Sequence, residues 1–123
     1  MQFIVKAKLP SLNDYVAACR ANKFQGAKFK EEVETIIGWA IRQAVYKGDL
    51  KPTDKPIVLH FEWHERTTRR DADNIASAKK FILDALQKQN IIPNDNRKYV
   101  KGFHDTIIDD KSDFVRVEII ELK

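Results

Sequence analysis

The period of the hydrophobic pattern changes several times along the chain, and each change marks an element. Phe3, Val5 and Ala7 alternate with Gln2, Ile4, Lys6 and Lys8, which predicts a strand over residues 2 to 8, stopped by Leu9-Pro10-Ser11. Asn13-Asp14 then offers a cap for a short helical turn through about Arg20, followed by a basic, flexible patch at Arg20, Lys23, Gln25-Gly26 and Lys28. From Ala27 onward Phe29, Val33, Ile36, Ile37, Ala40, Ile41, Ala44 and Val45 recur at helical spacing, and Gly48 supplies the stop. Glu31, Glu32 and Glu34 in its early turns suit the positive end of a helix dipole, so they read as a solvated face. Residues 49 to 56 form a lysine- and proline-containing connection. Ile57, Leu59, Phe61 and Trp63 then alternate with Val58, His60, Glu62 and His64, a strand with one core face.

A second helix is predicted from near Asp73 to near Asn90. Tyr99 to Ile108 and Phe114 to Leu122 read as two strands joined through Asp109-Asp110-Lys111-Ser112, with pairing expected as a hairpin. The fold class that follows is α/β (α+β): one small domain over residues 1 to 123, a mixed β-sheet of about four strands packed with two main helices. No repeat, low-complexity tract or interdomain linker interrupts it.

Composition narrows the picture modestly. A length of 123 residues suits one core and not two ordinary domains. Lys and Arg number 22 against 18 Asp and Glu, a net charge of +4 that permits a nucleic-acid partner without demanding one. The single cysteine excludes an internal disulfide and a thiolate zinc cage, and fits a reducing compartment. In its run Val16-Ala17-Ala18-Cys19 it is expected to be a small buried hydrophobe. The first residues lack the apolar core of a signal peptide and no segment approaches a membrane span, so a cytoplasmic protein with no membrane contact is expected.

Candidate chemistry gathers between Arg69 and Asn96. Asp71 and Asp73 stand one residue apart, and a third carboxylate, Asp95, returns after the predicted helix in Asn94-Asp95-Asn96. Hard divalent cations such as magnesium take a few carboxylate oxygens and leave room for water and phosphate. Arg66, Arg69, Arg70, Lys79, Arg97, Lys98 and Lys101 flank these acids, as a polyanion drawn to a metal site would require, and would add affinity through counterion release. Stepping about 100° per residue from Asp73 places Ser77, Lys80 and Asp84 on one polar stripe of the helix, opposite Ile75, Ala78, Ile82, Ala85 and Leu86. Lys80, and not Lys79, is then the lysine that reaches a phosphate near Asp73. Each part also has a plainer reading: Asp73 as a helix N-cap, Lys80 and Asp84 as a surface pair, Asp95 as a turn residue. Two other metal sites fail on geometry. His60 and His64 on a strand lie about 13 Å apart, too far for one zinc. An EF-hand starting at Asp71 would carry Ala76 and Ile82 where glycine and glutamate are needed.

With Asp-x-Asp-Asn at 71–74, Lys80-x-x-x-Asp84-Ala85-Leu86, an aspartate eleven residues further on and Leu9-Pro10-Ser11-Leu12-Asn13-Asp14-Tyr15 near the start, the chain resembles the RusA family of Holliday junction resolvases of bacteria, phages and prophages. The resemblance implies a magnesium-dependent homodimer, with manganese as a possible substitute, that cuts four-way DNA junctions symmetrically. It assigns Asp71, Asp73 and Asp95 as metal-binding catalytic acids and Lys80 as the essential lysine. The better-known members place that lysine about three residues nearer Asp-x-Asp-Asn, where this chain has Ser77, and often carry paired aspartates where it has Asn94-Asp95. Two alternatives belong to other classes: a branched or single-stranded nucleic-acid-binding module without catalysis, and a structural partner protein that uses the same basic patch on an acidic surface.

Overall fold

The computed structural model describes residues 1–123. In chain order the elements are β1 (Gln2–Val5), α1 (Leu12–Ala21), α2 (Lys23–Lys47), β2 (Ile57–Glu65), α3 (Ala72–Ala76), α4 (Lys79–Lys88), β3 (Val100–Asp109) and β4 (Phe114–Glu121). The four strands form one mixed sheet in the order β1-β4-β2-β3, with β2 and β3 parallel and the other neighbours antiparallel. The α+β class expected from the pattern is therefore the observed one, with α2 and α4 as the two main helices.

β2 is central because its composition requires both edges to be covered. Ile57, Leu59, Phe61 and Trp63 are all essentially buried, whereas His60, Glu62 and His64 face the open side of the sheet. On that open side His64 lies between Asp110 (2.7 Å) and Glu62 (3.2 Å), and His60 lies 3.7 Å from Glu118. The buried side packs on Val33, Ile37 and Ile41 of α2 and Phe81, Ile82 and Leu86 of α4, in one continuous core.

The expected β3–β4 hairpin does not form. Both strands pair with β2 instead, one on each side, and their connection steps over its end: Asp110 N–H donates to the Glu65 carbonyl (2.9 Å) and Arg66 N–H to the Asp113 carboxylate (2.8 Å). A local hairpin would have left the most buried strand with an unpaired backbone edge, which a buried strand cannot tolerate.

Four further expectations need correction. β1 stops at Val5, where Ala7 N–H turns back onto the Val5 carbonyl (2.9 Å), so residues 6 to 8 are not strand. α1 is capped by Ser11 rather than Asn13-Asp14, with Ser11 and Asp14 forming a reciprocal capping box at 3.1 and 2.9 Å. The expected flexible patch is helical, with Arg20 in the last turn of α1 and Lys23 to Lys28 in α2: Asn22 accepts from Gln25 N–H (2.8 Å) and starts a helix running unbroken to Gly48, whose φ of 82° suits only glycine comfortably. Cys19 is exposed, because α1 forms an outer layer that buries no residue fully and turns Tyr15 inward against Phe29 and Phe81.

Candidate active site

The site begins where β2 ends. Side chains at odd positions of β2 point into the core, so Glu65 is a fifth inward residue after Trp63 and is only 5 % exposed. A carboxylate there needs a cation. Arg70 supplies it from the following loop, with Nε and Nη2 on the two carboxylate oxygens at 2.8 to 3.1 Å, and Nη1 donates to the Leu9 carbonyl at 3.0 Å. Arg70, expected to contact DNA, is thus committed to an internal clamp. It ties the Leu9 segment to β2 immediately before Asp71.

The helix expected from Asp73 to Asn90 is two segments. α3 ends at Ala76, and the chain crosses to α4 through tighter i to i−3 bonds, from Ala78 to Ile75 (3.3 Å), Lys80 to Ser77 (3.4 Å) and Phe81 to Ala78 (3.0 Å). Ser77 sits at this joint. Its hydroxyl donates to the Asn74 carbonyl (2.6 Å) and accepts from Leu12 N–H (3.0 Å), while Asn13 donates to the Asn74 side chain (3.1 Å). The Leu9–Asp14 segment and residues 65–77, distant in sequence, are thereby held side by side.

Asp71 is the residue that precedes the first turn of α3, in extended conformation, and its carboxylate makes no capping bond. Asp73, read as a possible cap, lies instead within that turn and accepts from Asn74 N–H (3.0 Å). Both aspartates are exposed. Lys80 is the second residue of α4, and its Nζ lies 3.0 Å from Asp95 and 3.1 Å from Asp84. Asn94 accepts from Asn96 N–H (2.9 Å) and Asn96 from Lys98 N–H (3.0 Å), so the two asparagines build the turns and leave the Asp95 carboxylate free to meet Lys80. The hydrogen bonds that its ammonium donates to Asp95 and then to Asp84 hold the Lys80 pKa above its ordinary value of 10.5. A lysine so held is a fixed cation at neutral pH and cannot serve as a general base there.

Lys79 points away from this trio, as the stripe geometry required. It forms an ion pair with Asp105 of β3 and lies over the Phe61 and Phe103 rings, and Asp105 also accepts from the Trp63 indole (2.9 Å). Arg66, Arg69, Arg97, Lys98 and Lys101 are exposed, with Lys98 over the Tyr99 ring at 5.3 Å. Sequence reasoning missed Glu65 and the joint role of Ser77. Continuing the inward parity of β2 by one step would have flagged Glu65.

The donor set suits a hard cation in kind, since Asp71, Asp73 and Asp95 offer oxygen only and the first two have no competing cation bonded to them. No three Asp, Glu, His or Cys side chains converge on one point anywhere in the chain, so these residues do not form a closed cage. Magnesium does not require one, because it keeps several waters and binds through one or two carboxylates together with substrate phosphates. No protein-family model and no curated protein matches the chain.

Proposed function

We propose that this protein is a metal-dependent, structure-specific DNA endonuclease that resolves four-way junctions by symmetric phosphodiester hydrolysis as a homodimer. The observation that carries the reading is the clasp of Lys80 by Asp95 across fifteen residues of chain. The turn reading accounts for the asparagine-built loop and the surface-pair reading for the contact of Lys80 with Asp84, but neither calls for the contact between Lys80 and Asp95. The resemblance of these same positions to the resolvase motif supplies the reaction class.

Asp71, Asp73 and Asp95 would hold magnesium or manganese, which supplies a Lewis acid for the phosphate and lowers the pKa of an attacking water. Lys80, kept protonated between Asp84 and Asp95, stabilises charge that develops on the phosphoryl oxygens. The Glu65–Arg70 clamp and the Ser77 joint fix the backbone that presents Asp71 and Asp73.

A synthetic four-way junction incubated with Mg²⁺ and the parent protein should yield paired nicks at symmetric positions. The Asp71→Asn, Asp73→Asn and Asp95→Asn variants should each lose about a hundredfold or more in rate while still binding the junction. Folded variants that all cut like the parent would remove the site assignment. Tight, branch-selective binding by the parent without turnover would favour the non-catalytic binding module instead.

A further inference from the structure

The outward face of α2 carries a stripe that no neighbouring element covers. Lys28, Glu32, Thr35, Trp39, Arg42 and Tyr46 follow one another at steps of four, three, four, three and four residues, and all six are exposed. This is the spacing of a helix-packing seam. Trp39 is 60 % and Tyr46 93 % exposed, and Ile36 at 45 % lies beside them. The ion pairs that α2 makes within the chain run through Glu34, to Lys30 and Lys88. Lys28, Glu32 and Arg42 are left unpaired.

The stripe is symmetric about Ile37. Placed antiparallel against itself, it sets Lys28 opposite Tyr46, Glu32 opposite Arg42 and Thr35 opposite Trp39, each pair occurring twice. The first is a cation over an aromatic ring, the second an ion pair, the third a small residue against the largest one. Thr35 and Ile36 line both of the shallow hollows on this face, one shared with Phe24, Lys28 and Glu32, the other with Ile4, Trp39 and Arg42. The partner's indole therefore has a depression to enter. A parallel arrangement would instead bring Arg42 to Arg42 and Glu32 to Glu32.

We infer that the outward face of α2 is the contact between two copies of this chain, packed antiparallel about a two-fold axis near Ile37. The seam from Lys28 to Tyr46 is about 27 Å long at 1.5 Å per residue. Such a contact is isologous and closed. It deepens the junction-resolving reading by saying how two acidic constellations come to one particle, but it concerns the protein without DNA and is tested without it.

Sedimentation velocity of the full chain in moderate salt should give a dimer at tens of micromolar. Trp39→Ser should yield monomer. Glu32→Arg and Arg42→Glu should each weaken the dimer by about tenfold or more, since each creates two like-charge contacts, whereas the double variant should recover most of the parent's affinity. Circular dichroism of each variant should match the parent, because all three positions are exposed. A parent that is monomeric at these concentrations overturns the inference, as does a dimer indifferent to Trp39→Ser or one in which the double charge swap fails to restore what the single reversals lose. Junction cleavage is read separately, so loss of the nuclease reading would leave the dimer result standing.

Discussion

Arg69 and Arg70 are neighbours in sequence and opposites in environment. Arg69 is exposed, while Arg70 is spread over a buried carboxylate and a backbone carbonyl. Removing one partner of a buried pair leaves an uncompensated charge, at a cost of roughly 3 to 5 kcal/mol, whereas an exposed arginine usually changes stability by less than about 0.5 kcal/mol. Urea unfolding should therefore show Arg70→Ala strongly destabilised and Arg69→Ala unchanged, with Glu65→Leu/Arg70→Met recovering most of the loss. If Arg70→Ala kept the parent's unfolding midpoint and lost affinity for DNA, Arg70 would be a phosphate contact after all. An adjacent Arg-Arg pair carries no sign of which member turns inward; that depends on Glu65, five residues earlier on the buried parity of β2. The three aspartates and Lys80 were legible because their residue types are scarce choices for an apolar face. Their mutual placement was legible only in part: Lys80 and Asp84 pair along the stripe, but the contact of Lys80 with Asp95 comes from the loop after α4, which the stripe did not address, and Asp71 and Asp73 stand apart from any closed cage.

Among elements, the joint between α3 and α4 shows what periodicity alone overlooks. Ala72 to Lys88 keeps an uninterrupted helical pattern of apolar residues, so the break at Ser77–Ala78 is invisible until α1 is placed. Ser77 then has a partner outside its own helix, the Leu12 N–H at the start of α1, which no intrahelical carbonyl can satisfy. Ser77→Ala leaves that donor without its acceptor and removes the bond to Asn74, for an expected loss of about 1 to 2 kcal/mol. Hydrogen exchange should show faster opening at Leu12 and through α3, with the core strands unaffected until global unfolding. Uniform exchange across both regions, equal to the parent, would mean that the joint does not couple α1 to the aspartates. The strands themselves were legible from alternation, with β2, β3 and β4 within a residue or two of expectation. α1 was misread at its cap and α2 at its start, because Ser11 and Asn22 cap through side-chain bonds that an apolar count does not register.

Over the whole molecule, the topology spreads charges that look clustered in sequence. β2 and β3 run parallel, with Ile57 beside Val100 and Glu65 beside Asp109. Arg66 and Arg69 follow the far end of β2, whereas Arg97, Lys98 and Lys101 gather at the near end of β3, so the two groups lie at opposite ends of the sheet. Eight residue-to-residue steps from Ile57 to Glu65 separate those ends, about 26 Å at 3.3 Å each. The hairpin reading hid this, since only strand partners chosen over long range fix which ends coincide. Physiological salt screens charges beyond about 8 Å, so the two groups should act on DNA independently. Neutralising one phosphate contact lowers the dependence of log K on log salt by roughly 0.9 on duplex. Arg66→Ala/Arg69→Ala should thus reduce the slope by about two, Arg97→Ala/Lys98→Ala/Lys101→Ala by about three, and all five together by their sum. At 3.4 Å per base pair the span corresponds to about eight base pairs. Fluorescence anisotropy on a six-base-pair duplex should then register only one of the two losses, while a junction with longer arms registers both. Equal losses on both substrates, or a combined effect well short of the sum, would place the five residues in a single compact patch and contradict the separation that the parallel β2–β3 pairing imposes.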